Sequence, residues 1–209
     1  MVMLNEGDEV ILPAPYWVSY SDIVKLAEGV PVEVPTSIDA DFKMTAAQLE
    51  AAITPKTKMI WFSSPCNPSG SVYSREELTA LAKILEKHPN IYVVSDEIYE
   101  HINFSGTFCS IASIPGMLEK TITVNGVAKA FAMTGWRIGY IGAPEFIAKA
   151  CTKIQGQVML EYDIGTFKNI FRGLDRAYGQ YRVGEQKENG KQGGKAYITK
   201  GQITDQMWQ

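Results

Sequence analysis

The residue best placed to do covalent chemistry is Lys129, in the stretch 121–142, TITVNGVAKAFAMTGWRIGYIG, among Val127, Ala128, Ala130, Phe131, Ala132 and Met133. Desolvating an ammonium among such neighbours is costly unless it meets a partner or gives up its charge. A lysine in that state can form a Schiff base with an aldehyde; the alternative is a lysine at a strand end whose head snorkels to water. Arg137 follows after Thr134 and Gly135, and its planar fork suits an anion such as a phosphate. Asp96 comes after the apolar run 91–94 and Ser95. A carboxylate there lies near low dielectric and calls for a cationic partner, unless it is exposed and simply starts a turn. Tyr99, shortly after it, offers a phenol to the same pocket. Asn67 belongs to SSPCNPSG, which Pro65, Pro68 and Gly70 keep irregular. Its amide suits a phenolate or carboxylate oxygen, although NPSG alone is also a common turn.

Positioning these groups requires strands whose ends lie together. Apolar, β-rich runs predict strands over 8–12, 30–34, 58–62, 91–94, 121–124 and 138–141, the first ended by Pro13 and Pro15. Between them, Val18, Ile23, Val24 and Ala27 give a helix over 16–27, with Trp17 where it meets the strand end. Thr45 with Gln48 and Ser74 with Glu77 are capping boxes. They open helices through Ile53 and up to the neighbourhood of His88 and Pro89. Pro144 opens a last helix through Ile154. The loop 102–115 is expected to be packed down by Phe104 and Phe108. This alternation predicts a three-layer α/β/α domain on a mostly parallel sheet. Loops beyond the carboxyl ends of such strands are the usual ligand positions, and Asn67 has that address.

SDEIYEHI (95–102), NPSG (67–70) and VAKAFAMTGWRIGY (127–140) together resemble the class I aminotransferases, fold type I enzymes that use pyridoxal 5'-phosphate. The prokaryotic aspartate aminotransferases are the nearest in pattern, and the resemblance runs from about residue 7 to about residue 158. It implies that Lys129 carries the Schiff base, Arg137 holds the cofactor phosphate and Asp96 pairs with the pyridine nitrogen. Tyr99 and Asn67 match the groups that hydrogen-bond the phenolic oxygen. Trp17, within APYWVSY, matches the aromatic that stacks on the ring, though it also reads as a core aromatic. Tyr20 could do either job, but the match puts stacking on Trp17. Many relatives carry serine just before the lysine; Ala128 removes that phosphate contact.

Composition narrows the partners. A formal net charge of −3 lacks the concentrated basic face that nucleic acid requires. Cys66, Cys109 and Cys151 are odd in number and far apart, giving neither a metal-ligand pair nor a disulfide framework. His88 and His101 lie in no short ligand motif. With neither a leader nor a long apolar run, a soluble cytoplasmic protein without membrane contact is expected.

The pattern divides the chain into a partial cofactor-binding large domain, 1–158, and an atypical tail, 159–209, read as disordered, frame-shifted or a small new domain. Relatives carry, before the position of Gly7, a turn that binds the cofactor phosphate, and later a small domain whose arginine clamps the substrate carboxylate. Neither is expected here, so the chain is expected to be weakly active or inactive. The resemblance implies, for a full-length parent, transamination between an amino acid and a 2-oxo acid. The pair would be L-aspartate and 2-oxoglutarate, giving oxaloacetate and L-glutamate, in a homodimer. Two alternatives stay open. One is β-elimination or carbon–carbon cleavage with the same cofactor, because these residues fix the cofactor without fixing the bond broken. The other is a non-catalytic cofactor-binding fragment.

Overall fold

Burial on both faces of three strands decides the architecture. In β1 (Glu9–Ala14), Val10 and Leu12 pack on one face of the sheet and Ile11 on the other. Met59 opposes Ile60 and Phe62 in β3 (Thr57–Ser63), and Val94 opposes Val93 in β4 (Tyr92–Asp96). Both faces of these strands are therefore apolar, as expected of parallel strands covered on both sides. This computed structural model describes residues 1–104 and 106–161, with side chains through 157, and the backbone of Gln180–Arg182 and Tyr197–Thr199.

The sheet is completed by β2 (Val30–Pro35), β5 (Thr121–Gly126) and β6 (Gly139–Gly142), in the order β2-β1-β3-β4-β5-β6. All neighbours are parallel except β5 and β6. One face carries α2 (Ala46–Ala52) and α3 (Arg75–Glu86), whose Leu49, Leu78, Leu81 and Leu85 meet Ile60, Phe62 and Val93. The other carries α1 (Ser19–Leu26) and α4 (Glu145–Glu161), whose Tyr20, Val24 and Ile147 meet Val10, Leu12, Val94 and Ile122. The result is a parallel sheet core flanked by helices, the α/β class expected.

Local chemistry fixes the helix ends. Both capping boxes form: the Gln48 and Glu77 amides donate to Thr45 and Ser74, and their side chains return to the cap amides. Glu77 also pairs with Lys43 at 2.8 Å. At the other end of α3, Lys120 Nζ donates to the carbonyls of Leu85 at 2.6 Å and His88 at 2.7 Å. A cation there satisfies carbonyls that the helix leaves open.

Several expectations need correction. β1 runs through Pro13 to Ala14, because its pairing with β3 stops at Ile11 and the missing N–H falls where β2 is the remaining neighbour. α1 starts at Ser19 rather than at 16, so Trp17 lies on the entry turn. Phe104 is 97% exposed and does not pack its loop down. α4 continues past 158 to Glu161. Apart from that helix end and the two short strands, the reading of 159–209 lies outside the described residues. Among the described residues no helix is long and apolar enough to cross a membrane, and no group of His, Cys, Asp and Glu could hold a metal.

The β5–β6 pair, which leads into and out of the Lys129 loop, depends on close backbone approach. A Cβ on Gly126 would meet the Ile138 carbonyl oxygen at 2.7 Å and Ile98 Cδ1 at 3.2 Å. Gly126→Ala is therefore expected to destabilise the protein by about 1–3 kcal/mol in a urea unfolding titration. A change below roughly 0.5 kcal/mol would show that the two strands separate freely.

Candidate functional site

Register brings the chemistry together. Ser63 at the end of β3 pairs with Asp96 at the end of β4, and Asp96 pairs with Val124 in β5. The loops that follow these strands therefore emerge at one level of the sheet, and between them lies a cavity of about 470 Å³. Trp17, Asn67, Asp96, Tyr99, Lys129 and Arg137 all line it, joined by Tyr20 and Thr134.

Asp96 is held from two elements. Its Oδ1 accepts from the backbone N–H of Ile98 at 3.2 Å, a local turn contact, and its Oδ2 accepts from the Tyr20 hydroxyl at 2.6 Å. Trp17, 44% exposed, stands edge-on to Tyr20 with centroids 5.7 Å apart. Its indole therefore borders the cavity instead of filling the core. Lys129 Nζ lies 5.6 Å from the centre of the Tyr99 ring, where an ammonium meets the negative face of the π system.

The setting of Lys129 differs from the expectation. The lysine is exposed, and so are Phe131 at 64% and Trp136 at 55%. Its apolar neighbours lie on the outer loop between β5 and the edge strand β6, so they do not enclose the amine. The loop is nonetheless shaped at defined points. Asn125 Nδ2 donates to Glu100 at 2.7 Å, and its Oδ1 accepts from the Gly126 N–H at 2.7 Å, which ties the end of β5 to the segment after Asp96. Ala132 and Arg137 have φ of 51° and 52°. For residues with a Cβ this left-handed conformation costs about 1–2 kcal/mol. At Arg137 it follows the short 3₁₀ turn Thr134–Trp136, and Nη1 donates to the Thr134 carbonyl at 2.9 Å.

Two buried residues escape the sequence reading: Tyr20, which lines the cavity, and Glu97, which lies next to Asp96 in sequence but does not line it. The sequence offers Tyr20 as a core aromatic or a stacking ring; the residue is 1% exposed and its hydroxyl touches Asp96 across 76 positions of sequence. Its period on α1 marks it as buried, but nothing local points to its partner. Glu97 is the other. It is 3% exposed, and its Oε1 accepts from Ser95 Oγ at 2.9 Å and Ser110 Oγ at 2.6 Å.

Burial raises the Glu97 carboxyl above the usual carboxylate range, helped by the Glu100 and Asp96 charges and opposed by the two serine donors. The folded state thus keeps its proton to higher pH than the unfolded chain, so stability falls as pH rises from the ordinary carboxylate range through the folded value. Glu97→Gln removes this titration while keeping an oxygen for the serines. Across that window the variant's melting temperature relative to wild type is expected to increase with pH. A difference that does not vary with pH would show that Glu97 does not titrate as described.

Residues 1–177 match the family model for aminotransferase class I and II. An aspartate/prephenate aminotransferase of Nitrosomonas europaea is 54% identical over 159 residues, which are 75% of this chain and 40% of that protein. A bifunctional aspartate aminotransferase and glutamate/aspartate-prephenate aminotransferase of Petunia hybrida is 51% identical over 158 residues, 75% of this chain and 33% of that protein. Among solved structures, the aspartate aminotransferase of Rhizobium meliloti superposes with a TM-score of 0.73 at 48% identity, covering 75% of this chain and 40% of that one. The chain thus spans about two fifths or less of the length of these relatives.

Proposed function

The chain belongs to the class I and II aminotransferases, and from that premise we propose that its cavity takes pyridoxal 5'-phosphate, with Lys129 as the residue that bonds to the aldehyde. The observation that carries this reading is that one cavity gathers an amine, a carboxylate and a guanidinium at the ends of adjacent strands. The donor set fits the cofactor chemically. Arg137 supplies a fork for the phosphate, Asp96 a carboxylate for the ring nitrogen, Asn67 and Tyr99 polar groups for the phenolic oxygen, and Trp17 a flat face for the ring. When bound, the cofactor supplies an electron sink for the carbanion left by loss of a substrate proton.

Each residue of the chain then has a task. Lys129 would supply the amine that bonds to the aldehyde and, when free, a base at Nζ able to take up and return a proton beside the bound amino acid. Asp96 would supply the anion that pairs with the ring nitrogen, and Arg137 the cation that anchors the phosphate, so that the two ends of the cofactor would be fixed in the cavity that Lys129 lines. Transfer of an amino group from an amino acid to a 2-oxo acid is the activity proposed for the whole protein, in a homodimer as the resemblance implies. L-aspartate with 2-oxoglutarate is the favoured pair; the names of the relatives support aspartate, and 2-oxoglutarate rests on the sequence resemblance.

The test is direct. The chain is incubated with pyridoxal 5'-phosphate, reduced with borohydride, digested and mapped by mass spectrometry. A single pyridoxyl label on Lys129 is expected; a label confined to other lysines, or none, would end the proposal. For a version extended to family length, oxaloacetate formed from aspartate only when 2-oxoglutarate is present supports transfer. Ammonia released without an acceptor would assign elimination instead.

A further inference from the structure

We propose that Tyr20 is a positioning residue for Asp96, holding the carboxylate in the one orientation from which it can pair with a protonated ring nitrogen. This inference rests on the cofactor reading above and adds a residue to it. The phenol reaches Asp96 Oδ2 at 2.6 Å, a short contact of the kind made to an ionised acceptor. Oδ1 is held separately by the Ile98 N–H at 3.2 Å. A carboxylate has about four lone-pair sites, so these two donors set its plane and leave the others for a ligand cation.

Tyr20 itself has little freedom to move. Its ring is 1% exposed and stacks on Trp61, with centroids 4.4 Å apart and planes 25° apart. Tyr16 lies nearly parallel at 6.3 Å, and Trp17 meets the ring edge-on at 5.7 Å. Swinging the phenol away would break these ring contacts and leave a buried hydroxyl without an acceptor, which is costly. Burial and the facing Asp96 charge also hold the phenol far above its ordinary titration range. It therefore stays a proton donor at any working pH. Trp17 and Tyr20 both line the cavity, so the start of α1 supplies an aromatic ring at its wall and the hydroxyl that anchors the Asp96 carboxylate.

A hydroxyl that only braced the fold would contribute stability and nothing else, so the test reads ligand preference. Dissociation constants are measured on the full chain for pyridoxal 5'-phosphate and for its analogue with carbon in place of the ring nitrogen. Wild type is expected to prefer the nitrogen compound. Tyr20→Phe is expected to shrink that preference by on the order of tenfold, the size of one hydrogen bond to a charged group, while affinity for the carbon analogue changes less than about threefold. An unchanged preference in Tyr20→Phe overturns the positioning role and leaves the cofactor reading standing. A wild-type protein with no preference, or none bound, overturns the cofactor reading and this inference with it. Should Tyr20→Phe fail to fold, Trp61→Phe keeps the hydroxyl but loosens its stack. The preference must then fall in that variant, and an unchanged value overturns the role equally.

Discussion

Replacing Lys129 by alanine is expected to abolish the borohydride-fixed label and to reduce transamination by a version extended to family length by at least about 10²–10⁴-fold. That range is what a positioned acid–base group contributes by itself; losing the covalent link to the aldehyde adds to it. The position tolerates the change structurally. Lys129 is exposed on the loop between β5 and β6, and its contact with Tyr99 is a 5.6 Å cation–π approach at the cavity wall. Melting temperature should therefore stay close to wild type, separating loss of chemistry from loss of fold. Lys129→Arg keeps the charge above Tyr99 without a nucleophilic amine, and it should be as inactive as the alanine variant. A residual rate within about tenfold of wild type in either variant would remove Lys129 from the reaction.

What could be read from the sequence was set by how local its physical cause is. The capping boxes at Thr45–Gln48 and Ser74–Glu77 each close within one helical turn, and both form as written. The strands were equally legible, because Val10, Ile11 and Leu12 form the continuous apolar run that a strand buried on both faces requires. Strand order and register were not legible in that way. Ser63, Asp96 and Val124 sit side by side only after three separate segments have paired. The family resemblance, not the local pattern, grouped Lys129, Asp96, Arg137, Asn67, Tyr99 and Trp17 before their common cavity was visible.

Long-range contacts explain what was missed. Tyr20 finds Asp96 across 76 positions of sequence, and Glu97 finds Ser110 across a loop whose path no periodicity announces. Exposure failed for a related reason. Phe131 and Phe104 look like core residues by type, yet one lies on an edge loop and the other projects from the connection after β4. Hydrophobic type predicts burial only where an element exists to cover the residue.

Asp96 is where the fold and the proposed chemistry meet, and two substitutions there should come apart. Asp96→Ala removes the anion facing the proposed ring nitrogen. Truncating one member of a desolvated charge pair costs about 2–5 kcal/mol. Asp96 is half-buried, so solvent screening puts the effect at the lower end, about 2 kcal/mol or roughly thirtyfold in the dissociation constant of pyridoxal 5'-phosphate. The same change leaves the Tyr20 hydroxyl, 1% exposed, without its acceptor, and such an orphaned group destabilises by about 1–3 kcal/mol. Asp96→Asn keeps an oxygen in reach of Tyr20 but carries no charge. It should therefore unfold in urea within about 1 kcal/mol of wild type while losing as much cofactor affinity as the alanine variant. His88→Ala, outside the cavity, should change affinity by less than about twofold. If Asp96→Asn binds the cofactor as tightly as wild type, charge at this position is not what the ligand reads. The carboxylate would then serve the fold through Tyr20 alone.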